Sequence, residues 1–182
     1  MLIWSSNKVD KDFRDKLIDI VEEGYTDREK FFTSFHVGGG DFAELLLPYY
    51  GEIIKGMMED LGIYKRSTYD YNMWVQMYNA TNINSHPPHI HFTTNEIISF
   101  NHIIDASPEK CFYFLNDRDE KIYPGEQKSG DIFSWPSWML HGVDKPTTHR
   151  LIVAGNIMLK TYNDTYTNEH WDCQKREWSD IL

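Results

Sequence analysis

The stretch Asn84-Ser85-His86-Pro87-Pro88-His89-Ile90-His91 places three imidazoles within six positions. Its two prolines lack amide hydrogens and hold the chain extended, so no helix forms here. On an extended segment, side chains two apart point the same way. His89 and His91 therefore face one point, and Ile90 packs on the opposite side. Two imidazoles offered from one strand end suit a metal ion. A third ligand has to come from elsewhere, and His141 is the candidate. It closes Gly130-Asp131-Ile132-Phe133-Ser134-Trp135-Pro136-Ser137-Trp138-Met139-Leu140-His141, an apolar strand, a proline turn, then a histidine followed by Gly142. A histidine in such company is either hydrogen-bonded or a ligand.

Around this segment the chain reads as short strands. Candidates are Asn72 to Tyr78, Glu96 to Ile104, Lys110 to Leu115, Ile132 to Trp135 and Arg150 to Ile157, separated by turn residues at regular intervals. That is the pattern of a sandwich or barrel. Before about residue 66 the periodicity is helical. Asp10 can cap a helix carrying Phe13, Leu17, Ile20 and Val21, closed by Gly24. A second helix begins near Asp41, with Leu45, Leu46, Tyr49, Ile53, Met57 and Leu61 on its apolar face. Pro48 predicts a kink or a break in it. The chain thus divides into a helical layer (1–66), a barrel core (67–160) and a charged tail (161–182) with Trp171 and Trp178, all within a single domain.

Bulk composition excludes several classes. The net charge is -10 and no basic run exists, so neither nucleic acid nor an anionic membrane surface is an expected partner. No apolar stretch approaches the ~20 residues of a membrane span, and the first residues lack signal-peptide order. Cytoplasmic location is the expectation. Cys111 and Cys173 form no disulfide framework, and Cys111, in an apolar run, reads as a small buried hydrophobe. Both lie far from the histidine cluster, which counts against a structural zinc site.

Arg150 opens the last strand nine residues after His141 and shares a face with Ile152, Ala154 and Asn156. A guanidinium inside a barrel needs an anion, and its fork suits a carboxylate bidentately. An ion pair with an acidic residue is the plainer alternative.

From about Trp74 to Ile157, these residues resemble the 2-oxoglutarate/iron(II) oxygenase superfamily, especially its small prolyl-hydroxylase-like, phage-type members. Gly130 to His141 resembles the strand that ends at the family's second iron histidine. His89-Ile90-His91 corresponds to the first iron histidine and the carboxylate two residues on. Arg150 falls where the family keeps the basic residue that grips the distal carboxylate of 2-oxoglutarate, and Tyr78 and His102 fall near positions that hydrogen-bond the cosubstrate. The resemblance implies an α+β fold with a double-stranded β-helix (jelly-roll) core and N-terminal helices packed on the major sheet. It implies iron(II) and 2-oxoglutarate, and a hydroxylase acting on a small-molecule or peptide substrate.

The family set is two histidines and one carboxylate. Here His91 fills the carboxylate position, and no Asp or Glu lies between Ser85 and Asn95. The favoured set is His89, His91 and His141. Two histidines alone, or His86 in place of one of them, are the other options. Two further functions stay open: a three-histidine iron oxygenase without 2-oxoglutarate, resembling the cupin dioxygenases, and a non-catalytic metal- or ligand-binding barrel. His102 also reads as an ordinary core histidine, and Trp135 and Trp138 as packing residues, with one of the two lining the substrate mouth as the alternative. Substrate and oligomeric state are not written in the sequence.

Overall fold

The computed structural model describes residues 2–6, 9–24, 32–33, 40–62, 69–78, 85–91, 95–159 and 174–176. Helix α1 (Lys11–Gly24) starts where the Asp10 carboxylate accepts the Phe13 amide at 2.9 Å, an N-cap bond. Phe13, Leu17 and Val21 form its buried stripe. Helix α2 (Gly40–Asp60) runs through Pro48 without the expected break. An interior proline costs about 3 kcal/mol. Leu46, Tyr50, Ile54 and Met57 are buried at helical spacing, and at roughly 1.5–3 kcal/mol for each such side chain their burial outweighs that cost. After α2, Gly62 adopts φ +71°, the left-handed conformation that ends helices and favours glycine.

The strands form two sheets. The major one has seven, in the order β1 (Leu2–Ser6), β8 (Asp131–Pro136), β5 (Glu96–Asp105), β10 (Arg150–Leu159), β3 (Tyr69–Tyr78) and β11 (Gln174–Arg176), with β2 (Phe32–Thr33) also paired to β3. The minor sheet runs β4 (His86–His89), β9 (His141–Val143), β6 (Phe112–Leu115) and β7 (Lys121–Ile122). All pairs are antiparallel. This is an α+β structure with a double-stranded β-helix core.

Strand alternation sorts the side chains into two cores. On β10, Leu151, Val153 and Ile157 face the helices, together with Val75, Met77, Phe100 and Ile104 of the neighbouring strands. Ile152 and Ala154 point the other way. They join Trp74, Tyr78, Ile103, Phe133 and Trp135 of the major sheet and Phe112, Phe114 and Val143 of the minor sheet in the barrel interior. Arg14 of α1 locks the helical layer to the sheet, its guanidinium forking onto Asp105 at 2.6 and 2.7 Å.

Three short strands fall where none was expected. β1 and β2 lie within the stretch read as a helical layer, and β11 lies in the tail. Each exists through its partner: β1 pairs the outer edge of β8 from Leu2↔Ser134 to Ser6↔Asp131, while β2 and β11 pair opposite ends of β3. Strands of two to five residues carry too little alternation to reveal themselves alone. Trp171, Trp178 and Cys173 lie outside the described residues. Cys111 is a buried free thiol, as expected.

Candidate functional site

The minor sheet brings the histidines together. β4 lies against β9 with His89 opposite His141, and an irregularity between His86 and His89 interrupts the regular register. Gly142, next to His141, has to be small. A β-carbon there would sit 2.7 Å from the Tyr113 hydroxyl and 3.1 Å from the His86 carbonyl oxygen. The result is a group in which one ring nitrogen each from His89, His91 and His141 lies within 4.8 Å of the others. The Nε2 atoms of His89 and His91 are 3.1 Å apart.

Tautomers follow from the partners. Nδ1 of His89 lies 2.9 Å from the Pro87 carbonyl, and Nδ1 of His141 lies 2.9 Å from the Met139 carbonyl. A carbonyl oxygen only accepts, so both Nδ1 atoms carry the proton and both Nε2 atoms present bare lone pairs. Burial above all disfavours the charged form throughout the cluster. Burial and the adjacent His89 push His86 down to about 4. Burial and the other histidines take His91 to about 4. The same effects take His141 to about 2. His89 is lowered by burial against an opposing bond to the Pro87 carbonyl. Neutral imidazoles with converging lone pairs are what a divalent transition metal requires. The donor set fits a metal ion.

These side chains line a cleft, open at its mouth, whose walls include Trp74, Gln76, Asn101, Trp135, Ile152 and Ala154. Trp135 meets the His141 ring edge-on at 4.8 Å between centroids. The Asn101 side-chain oxygen and the Trp135 indole nitrogen are buried and have no hydrogen-bond partner among the described residues. His86 also lines the cleft, stacked on His89 at 4.2 Å. It lies outside the close three-histidine group. Trp138, expected to pack, is 58% exposed instead.

Arg150 stands on the same inner face of β10, opposite Tyr78 of β3. It is 2% exposed, and among the described residues neither Nη1 nor Nη2 has a hydrogen-bond partner. The expected alternative, an ion pair, is therefore not found among them. Burial lowers the guanidinium's pKa, against the opposing influence of Tyr78 and Cys111. The guanidinium lies over the Tyr78 ring, 5.5 Å from its centroid. Burial raises the Tyr78 phenol to about 12, despite the nearby arginine, so it stays a donor at neutral pH. Its hydroxyl lies 3.5 Å from His86 Nδ1. Arg150, Tyr78, His86 and His89 thus follow one another along the barrel interior. A buried guanidinium left unpaired costs several kcal/mol, and an incoming carboxylate would relieve that cost.

His102 does not join this group. It sits on the other face of β5, where its Nδ1 lies 2.7 Å from the Tyr50 hydroxyl of α2 and its ring stacks on Tyr49. Burial lowers it to about 4. The family-like position reads onto the wrong side of the strand because Asn101, one residue earlier, is the one that turns inward. His149 pairs with Asp105 at 3.3 Å, while His36 and His170 lie outside the described residues. Gln76 and Asn101 were not singled out from sequence. Their signal is parity, since each is polar on the inward face of a strand.

No family model and no curated protein matches the sequence. Solved structures do match. A prolyl-4-hydroxylase from Pseudomonas putida aligns at TM-score 0.58 and 12% identity, over 82% of this chain and 85% of that one. The fold is that of the 2-oxoglutarate oxygenases. The same fold is seen in the viral collagen prolyl hydroxylase of Paramecium Bursaria Chlorella virus-1, solved with 2OG (TM-score 0.55, 12% identity, 84% and 92% covered). It is also seen in SnoK, a non-heme alpha ketoglutarate dependent carbocyclase from nogalamycin biosynthesis (TM-score 0.60, 12% identity, 81% and 73% covered). At this identity the 2-oxoglutarate oxygenase likeness concerns architecture: two facing sheets with a cleft between them.

Proposed function

We propose that the chain is an iron(II)-dependent oxygenase that couples decarboxylation of 2-oxoglutarate to hydroxylation of a peptide or small-molecule substrate. The observation that carries this is Arg150: a buried guanidinium without a partner among the described residues, on the barrel face that also leads to three converging histidines. A site with a metal at one end and an unpaired cation at the other accepts a dicarboxylate that chelates with one end and is anchored at the other.

In this scheme His89, His91 and His141 hold the metal. Arg150 anchors the distal carboxylate with its fork, and the Tyr78 hydroxyl, protonated at neutral pH, donates to the same group. Iron bound there supplies the activation of dioxygen. The overall balance is 2-oxoglutarate, dioxygen and a C–H bond giving succinate, carbon dioxide and a C–OH bond. The aromatic walls, Trp74, Phe112 and Trp135, exclude water from the reacting end. His91 in the family's carboxylate position makes the metal's ligand set neutral, one negative charge fewer than two histidines and a carboxylate. An anionic chelator then binds against less repulsion. The substrate class follows the fold's range, which extends from the collagen prolyl hydroxylase to the nogalamycin carbocyclase.

The neutral set also favours a second scheme, a three-histidine oxygenase that takes no 2-oxoglutarate. Titration calorimetry of the iron(II)-loaded protein with 2-oxoglutarate under nitrogen separates the two. Saturable binding that weakens at least 30-fold in Arg150→Ala supports the 2-oxoglutarate enzyme. A loaded protein that releases no heat with 2-oxoglutarate supports the alternative.

A further inference from the structure

Trp135 is buried, and it lines the same cleft as the histidines. Its ring packs against Phe112 and Phe114, at 4.9 and 5.6 Å between centroids, and meets His141 at 4.8 Å. Its Nε1 has no hydrogen-bond partner among the described residues. A phenylalanine here would supply ring contacts without burying a donor, and a buried donor without an acceptor costs stability. Buried tryptophans therefore usually find a partner for this nitrogen. The polarity of the missing partner is fixed, because an indole nitrogen donates and never accepts. Asn101, also on the cleft wall with an unpartnered atom, offers both polarities from one amide and does not narrow the choice.

Register fixes the place as well. Trp135 pairs with Ser99 of β5, and Ser99 pairs with Asn156 of β10. Along β10 the inward order is Arg150, Ile152, Ala154 and Asn156, and Ala154 faces Trp74, which stacks on the His91 ring with planes 12° apart. Arg150 therefore stands at one end of the barrel interior, and Trp135 stands at the other, with the metal ligands. A 2-oxo acid chelates a metal through its keto oxygen and one carboxylate oxygen. The second oxygen of that carboxylate stays charged and calls for a donor. We propose that the indole N–H of Trp135 is a second anchor for the cosubstrate, donating to this free oxygen while Arg150 grips the distal carboxylate. The inference rests on the metal and 2-oxoglutarate reading above, and it gives the cosubstrate one protein donor at each end.

The test uses the zinc(II)-loaded full chain, labelled with 15N, and follows the indole N–H resonance of Trp135, identified by its nuclear Overhauser contacts with His141 and Phe112. Three probes divide the site. These are 2-oxoglutarate, then pyruvate, which has the chelating end and no distal carboxylate, and glutarate, which has both carboxylates and no keto oxygen. The resonance should move downfield with 2-oxoglutarate and with pyruvate, and stay in place with glutarate. Trp135→Phe keeps an aromatic ring and deletes the donor. It should bind 2-oxoglutarate about 10-fold more weakly by calorimetry, and pyruvate by the same factor. Where the variant does not fold, the wild-type shifts decide alone. A Trp135 resonance that stays in place while 2-oxoglutarate binds, or that answers glutarate equally, overturns the role of Trp135 and leaves the proposed function standing. Wild type that takes up no zinc, or no 2-oxoglutarate once loaded, overturns both.

Discussion

The two faces of the seven-stranded sheet bury polar side chains of different kinds. On the helix-facing side His102 is the buried polar ring. Its Nδ1 has Tyr50 at hydrogen-bond distance and Tyr49 stacks on the ring, within a continuous apolar layer, while its Nε2 has no partner among the described residues. On the barrel side Arg150 leaves both terminal guanidinium nitrogens without a partner among the described residues, and Asn101 and Trp135 leave one polar atom each. Native interiors rarely leave such atoms unsatisfied. A neutral ring nitrogen left without a partner costs far less than a buried cation, so the barrel face is the one that an anionic ligand completes. The same strands, β5 and β10, carry both, so one residue of register separates a structural position from a functional one.

Four substitutions probe that contrast. The largest effect is expected from His141→Ala, which removes a metal ligand from the centre of the cluster. Cobalt(II) or iron(II) affinity should fall more than 100-fold, read by equilibrium titration, with the fold retained by circular dichroism. Arg150→Met comes next and carries two opposite signs. The 2-oxoglutarate affinity of the metal-loaded protein should fall about 100-fold, near 3 kcal/mol. The ligand-free protein should become more stable by about 1–4 kcal/mol, because an unpaired buried cation is replaced by an apolar chain. Weaker binding together with a lower melting temperature in Arg150→Met would mean that Arg150 is paired within the protein.

His102→Phe should do the reverse. Metal and cosubstrate affinities stay within twofold, while stability drops by about 1–3 kcal/mol as the Tyr50 hydroxyl loses its partner. Its pH signature is smaller and distinctive. The folded pKa of His102, depressed to about 4 by burial, lies below the 6.5 of the unfolded chain, so the unfolded state takes up the proton first. Its contribution is full above pH 6.5 and disappears as pH falls toward 4, an effect of order 3 kcal/mol at most. Denaturant midpoints measured from pH 7 to 4 should fall less steeply in His102→Phe than in wild type. The smallest effect is expected from Tyr50→Phe, about 1 kcal/mol at pH 7 with cosubstrate binding unchanged.

How far the molecule was legible in advance follows the same division. β10 and β3 were visible because ten-residue strands show their alternation, and the grouping of His89, His91 and His141 was readable from spacing and chemistry. The inward face of Arg150 followed from Ile152 and Ala154. β5 was ambiguous: Ile98, Phe100 and Ile104 make one face apolar and Ile97 and Ile103 do the same for the other, so sequence alone could not say whether His102 or Asn101 turned inward. Pairing with β10 decides it. β1, β2 and β11 exist only as partners of longer strands, and the persistence of α2 through Pro48 depends on the sheet beneath it. The unpartnered nitrogen of Trp135 was not legible at all, because in an apolar run an indole reads as packing, and only the surrounding strands reveal that no acceptor among the described residues reaches it.

Anaerobic absorption of the iron(II)-loaded protein on adding 2-oxoglutarate tests the central claim most directly. A weak visible charge-transfer band should form in wild type, need far more 2-oxoglutarate in Arg150→Ala, and be absent in His141→Ala. Iron bound to the wild-type protein with no band at saturating 2-oxoglutarate would contradict the account.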